Sequence, residues 1–206
     1  MTKIKICGIR DIEIAKFTEN LGIDALGFIL CPSKRRIQIN ELKGITRSLK
    51  SDVDKVGVFV NQSEDYIKEA YYEGDLTMVQ LHGEENEDFI KRLPFTVIKA
   101  FNVDSFEEIK RALIFDVPYI LLEGKGNERG GNGNSFPWEL LGTLSKEERS
   151  RIILAGGLNA ENVQEAISLA NPYMVDASSS LEIGGVKNKD KIEGFINKIR
   201  GLKYEI

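Results

Sequence analysis

Eight times along the chain, a short apolar run rich in β-branched residues is followed by a longer amphipathic stretch. The apolar runs fall at residues 3–7, 24–30, 54–60, 76–81, 96–101, 117–122, 151–155 and 173–176. Helical patterns occupy 11–21, 40–49, 63–72, 85–93, 105–115, 137–144, 159–169 and 190–199. Cap residues open several of them. Ser63 precedes Tyr66, Ile67 and Ala70, and Ser105 precedes Glu107 and Glu108 in a first turn where the helix dipole favours anions. Strict alternation implies parallel strands joined by helical crossovers, because a parallel pair cannot be closed by a tight hairpin. Eight units of roughly 25 residues match a small (β/α)8 TIM barrel. The rival, an open doubly wound sheet, usually has fewer strands and binds at a strand-order switch. Counting favours the barrel, and no linker, charge block or composition shift divides residues 1–206 into two domains.

Composition narrows the partners. Lys+Arg 28 against Asp+Glu 32 gives a net charge of −4, with no basic excess for a nucleic acid. An anionic ligand then needs a local site. Cys7 and Cys31 form no disulfide pattern, the N-terminal segment turns polar too soon for a signal peptide, and no apolar run approaches membrane-spanning length. The expectation is a cytoplasmic protein with no membrane or nucleic-acid partner, as a monomer or a homodimer. No HxH, HExxH or CxxC spacing occurs, so no metal or other cofactor is expected.

Chemistry in such a barrel collects at the carboxyl ends of the strands. There the chain places Cys7-Gly8, then Ser33-Lys34-Arg35-Arg36, Asn61, His82-Gly83, Glu123, Gly156-Gly157 and Ser178-Ser179-Ser180. Gly156 and Gly157 let backbone approach an anion, and the serines follow the neighbouring strand, so the two turns together read as a phosphate cup. Either turn alone is as well explained by ordinary loop geometry. Cys7 shares strand parity with Lys5, so if Ile4 and Ile6 face the helices, Lys5 lies beneath the thiol and favours the thiolate. Cys31 reads as structural. Glu123 ends an apolar strand beside a loop with five glycines before Phe136, which suits a general acid or base, although a solvated loop carboxylate fits the position equally. Arg35 or Arg36 can clamp a carboxylate, whereas such clusters are commonly solvated surface. His82 shares parity with Gln80 and Met78 and reads as part of a polar wall.

KICGI at 5–9, GVFVN at 57–61, QLHGEE at 80–85, GGNG at 130–133 with FPW at 136–138, AGGLNAENV at 155–163 and VDASS at 175–179 together resemble the phosphoribosylanthranilate isomerase family. The resemblance implies a cofactor-free (β/α)8 barrel of tryptophan biosynthesis. Its reaction would be the Amadori rearrangement of N-(5-phosphoribosyl)anthranilate to 1-(2-carboxyphenylamino)-1-deoxyribulose 5-phosphate. It implies Cys7 as general base, Arg35 as receptor of the anthranilate carboxylate, and Gly156, Gly157, Asp176, Ser178 and Ser179 around the phosphate; the polar wall of Gln80 and His82 would then bind substrate. Two positions depart from the family. Glu123 replaces an aspartate as general acid, and Ser180 replaces the glycine of a Ser-Ser-Gly turn. With reference ionisations only roughly 3% of thiols and 0.2% of carboxyls would be in the required states at pH 7. Lys5 is therefore expected to lower the thiol. The alternatives are another phosphosugar barrel, or an impaired or non-catalytic phosphosugar-binding barrel.

Overall fold

The computed structural model describes residues 1–50, 52–125 and 136–201. Eight parallel strands close into a barrel in chain order: β1 (Lys3–Cys7), β2 (Ala25–Ile29), β3 (Asp54–Phe59), β4 (Met78–Leu81), β5 (Thr96–Val103), β6 (Tyr119–Gly124), β7 (Ile152–Leu154) and β8 (Met174–Ala177). The seam is β1 on β8, with Lys5 opposite Asp176. Around them lie α1 (Ile12–Asn20), α2 (Ile39–Thr46), α3 (Glu64–Glu73), α4 (Glu87–Ile90), α5 (Phe106–Leu113), α6 (Glu139–Gly142), α7 (Lys146–Arg149), α8 (Val163–Ala170) and α9 (Lys189–Gly201). The expected caps are in place: Ser63 accepts from the Tyr66 amide and Ser105 from the Glu108 amide.

Strand alternation sorts side chains into two cores. Outward residues such as Ile4, Ile6, Leu26, Phe28 and Phe59 pack against the helices. Inward residues among those described are fewer and include no buried phenylalanine: Ala25, Val56, Ile98, Ala100, Leu121, Ile153, Ala155 and Met174. Near the amino ends of the strands, the rings of Tyr119 and Tyr173 stack with centroids 4.9 Å apart and hydroxyls 3.2 Å apart. That filled interior leaves the carboxyl end as the open rim.

Several boundaries differ from the sequence expectation. Strand β6 starts and ends two residues later than predicted, which puts Glu123 within the strand. The helix expected over 137–144 is present but shorter, as α6, and a further four-residue helix, α7, follows where Ser145 forms a capping box with Glu148. A hairpin follows β8 that the sequence reading did not include. It runs from a 3₁₀ turn (Ser179–Leu181) into β9 (Glu182–Ile183) and β10 (Val186–Lys187), around Gly184 and Gly185 at φ 60° and 81°.

Candidate active site

Cys7 ends β1 on the inner face, opposite Gly27 of β2. A β-carbon at Gly27 would lie 2.7 Å from Cys7 Sγ, so this glycine makes room for the sulfur. Lys5 lies one inward position below, fully buried, and donates to Asp176 Oδ2 at 2.6 Å. Strand parity located Lys5 correctly. Lys5 pulls the thiol down as expected, but the net shift runs the other way. Burial pushes the Cys7 thiol up and outweighs Lys5 and Lys187, which pull it down, while Asp176 raises it further. The physical reason is desolvation: a fully buried sulfur loses more hydration as thiolate than the Lys5 ammonium, itself paired with Asp176, returns.

Glu123 lies on the same face of β6 as Tyr119 and Leu121, which line the barrel interior, so its side chain faces inward and is 5% exposed. Its Oε2 is 3.5 Å from His82 Nε2, and His82 Nδ1 is 3.5 Å from the Gln80 amide nitrogen. Burial, with Lys99 and Lys5 nearby, lowers the His82 pKa to about 4 against the opposing Glu85, so the imidazole is neutral at pH 7. Behind it, Lys99 donates to the Gly83 carbonyl at 2.7 Å and to Glu85 at 3.1 Å. Glu85 in turn accepts from the Asn61 and Gly83 amides. That buried network holds the His82-Gly83 turn. Among the described residues, Gln80 Oε1, His82 Nε2 and Asp176 Oδ1 are buried at the rim without a hydrogen-bond partner. Such orphaned atoms are uncommon in native proteins and mark places where a ligand can bind.

Gly156 and Gly157 run through the left-handed region at φ 91° and 67°. Most residues with a β-carbon are strained there. The Asn162 amide donates to the Gly157 carbonyl at 3.0 Å, fixing the turn. Across the seam, Ser178 Oγ donates to the Cys7 carbonyl at 3.0 Å and Ser180 Oγ to the Leu158 carbonyl at 2.5 Å. The two glycine and serine turns are thus joined to each other and to the Cys7 turn. Ser180 is not among the residues at positive φ, so its β-carbon brings no backbone strain. Ser179 opens the 3₁₀ turn beside it. Cys31 is buried. The glycine-rich motif at 130–133 lies outside the described residues.

Arg35 reaches the same rim, half-buried, with its Cδ 2.9 Å from the position a Gly8 β-carbon would take. Its Nε and Nη2 donate to the two Glu182 oxygens at 2.7 and 3.0 Å. Lys187 donates to Glu182 at 2.6 Å and to the Ser178 carbonyl at 3.0 Å. Sequence reasoning missed Glu182, Lys187 and Gly27. A signal for the first two existed: Glu-Ile-Gly-Gly-Val-Lys has the form of a two-residue hairpin, which sets Glu182 directly opposite Lys187.

A family model described as N-(5'phosphoribosyl)anthranilate (PRA) isomerase matches residues 4–198. An N-(5'-phosphoribosyl)anthranilate isomerase of Bacillus cereus is 47% identical over 199 residues, 96% of this chain and 98% of the relative. The crystal structure of phosphoribosyl anthranilate isomerase from Thermotoga maritima superposes with a TM-score of 0.89 at 39% identity, covering 98% of this chain and all of the other. A phosphoribosyl anthranilate isomerase in complex with reduced 1-(o-carboxyphenylamino)-1-deoxyribulose 5-phosphate gives 0.85 at 37% identity, with the same coverage. The site geometry and these matches together make the chain a member of the phosphoribosylanthranilate isomerase family.

Proposed function

We propose that this chain carries out the family's Amadori rearrangement with Cys7 and Glu123 as its proton-transfer pair. The supporting observation is that both side chains face inward at the carboxyl ends of β1 and β6, with three orphaned polar atoms on the intervening rim. Glu123 protonates the furanose ring oxygen of N-(5-phosphoribosyl)anthranilate while the aniline nitrogen assists opening to the Schiff base. The Cys7 thiolate then removes the C2 proton, and the enolamine tautomerises to the ketone. Gly156, Gly157, Asp176, Ser178 and Ser179 hold the phosphorylated end, with main-chain donors suited to a chain of net negative charge. Arg35 receives the anthranilate carboxylate, and Gln80 and His82 line the wall between. The acting unit is one barrel domain spanning residues 1–206, cytoplasmic, as a monomer or homodimer. Among the described residues no helix is long and apolar enough to cross a membrane.

The required pair is thiolate with carboxylic acid. Between the two ionisations the thiolate fraction grows tenfold per pH unit while the acid fraction shrinks tenfold, so the competent fraction is flat. Above the thiol pKa only the loss continues. Because burial raises that pKa, the alkaline limb of kcat/KM is expected above the ordinary thiol value of about 8.5. A limb below it would contradict a desolvated thiol base.

Loss of substrate fluorescence measures turnover directly. Cys7→Ser and Glu123→Gln are each expected to lower kcat by about 10²–10⁴-fold, the usual contribution of a positioned acid or base. Glu123→Asp is expected to keep or raise it, since the shorter carboxylate is the family's own. A fully active Gln variant would remove Glu123 from the acid role.

A further inference from the structure

We infer that Glu182 and Lys187, on the hairpin after β8, are positioning residues that divide Arg35 into two edges and reserve one for the substrate's carboxylate. This rests on Arg35 being the carboxylate receptor. A guanidinium offers two bidentate faces, a side edge through Nε and one terminal nitrogen, and an end edge through both terminal nitrogens. Glu182 occupies the side edge, with bonds of 2.7 and 3.0 Å to Nε and Nη2. Among the described residues Nη1 donates no hydrogen bond, so the end edge keeps its donors. The Glu182 side chain is 7% exposed and that of Lys187 is 5% exposed, so this is a built-in clamp rather than a solvated pair.

Charge explains why a second cation is present. Glu182 alone would cancel Arg35 and leave nothing to attract an anion. Lys187 on the same carboxylate restores one net positive charge to the trio. Both cations hold Glu182 below the usual carboxylate range despite its burial, while burial draws Lys187 down against the upward pull of Glu182. Lys187 also bonds the Ser178 carbonyl, and the Ser178 hydroxyl bonds the Cys7 carbonyl. The aromatic end of the site is therefore braced against the turn assigned to phosphate. The hairpin register makes this possible: Glu182 and Lys187 are direct cross-strand partners, and Gly184 and Gly185 supply the left-handed turn.

The test compares two ligands: reduced 1-(2-carboxyphenylamino)-1-deoxyribulose 5-phosphate and its counterpart lacking the carboxylate. The ratio of their dissociation constants reports the clamp alone, because sugar and phosphate contacts are common to both. Glu182→Gln is expected to reduce the preference for the carboxylated ligand about tenfold while leaving the other ligand's affinity unchanged. Glu182→Asp, which keeps the charge with a shorter reach, is expected to fall between Gln and the parent. Lys187→Met is expected to cut the preference comparably by leaving Glu182 to neutralise Arg35. An unchanged or increased preference in Glu182→Gln, or equal weakening of both ligands, would overturn the positioning role. Arg35→Ala separates the two levels. If it leaves the preference intact, the assignment of the carboxylate to Arg35 is what fails. If it abolishes the preference while both Glu182 variants keep it, the clamp is what fails.

Discussion

The barrel has two interiors built on opposite principles. Between strands and helices, Ile4, Leu26, Phe28, Phe59 and their neighbours form a continuous apolar layer of large, fully buried side chains. Inside the strands the apolar residues are few, and the layer near the rim buries Lys5, Asp176, Gln80 and Glu123 instead. The outer layer can be large because helices cover it. The inner one is limited by the strand circle, so a single ion pair such as Lys5–Asp176 fills a substantial part of it. Burying that pair is a poor route to stability, since desolvation opposes most of the Coulombic gain. The outer shell carries the fold, and the inner rim carries the chemistry.

Phe59→Ala tests that division most severely. Phe59 is fully buried, with its ring edge-on to Tyr66 at 6.3 Å between centroids. Its truncation is expected to cost about 3–5 kcal/mol in chemical unfolding while the folded fraction keeps near-parent kcat. Glu123→Gln should show the reverse, lost turnover with a small change in stability. If Phe59→Ala removed kcat in proportion to stability, the two interiors would not be separable.

His82 sits where the two principles meet. Its folded pKa is lowered to about 4 from 6.5 by burial, with Lys99 and Lys5 reinforcing it. The sign follows directly. Above pH 6.5 neither folded nor unfolded chain is protonated at this residue, and its contribution is fully present. As pH falls toward 4 the unfolded chain takes up a proton that the folded one refuses, and about 3 kcal/mol is lost. His82→Gln removes the titration, so the stability difference between parent and variant should change by that amount between pH 6.5 and 4 and stay constant above. A constant difference across the whole range would mean the imidazole is solvated in the folded state.

Legibility in the sequence followed the same division. The outer core was readable because burial imposes periodicity: β-branched runs alternating with amphipathic stretches gave all eight strands. The inward parity of Lys5 and Cys7 came from the same rule. Site residues such as Cys7, Asp176 and Glu123 lie at strand ends, where position alone already limits their surroundings. Pairing was harder. That Lys5 is engaged by Asp176 depends on β8 closing against β1, a contact between residues 171 positions apart. The Arg35–Glu182 bond spans 147 positions. No local pattern carries such partners, nor the depth of burial that sets the net direction of the Cys7 shift. Helix α7 is absent from the periodic pattern for a different reason: four residues are too few to show a periodicity, and its only local signal is the Ser145–Glu148 capping box.

The smallest expected effect concerns Ser180, where the family's turn has glycine. The hydroxyl donates to the Leu158 carbonyl, part-buried, and so joins the turn after β7 to the turn after β8. If these turns share the phosphate, the bond fixes the width of the cup. Since Ser180 is not at positive φ, glycine there relieves no strain and only adds freedom to the unfolded chain. Ser180→Gly is therefore expected to lower stability by about 1 kcal/mol. It should also raise KM a few-fold, by about the same order as one lost neutral hydrogen bond, with kcat unchanged. Steady-state kinetics with a parallel melt reads both. A lower KM in the glycine variant would show that the serine bond holds the cup too narrow, and that this chain departs from its family at some cost to phosphate binding.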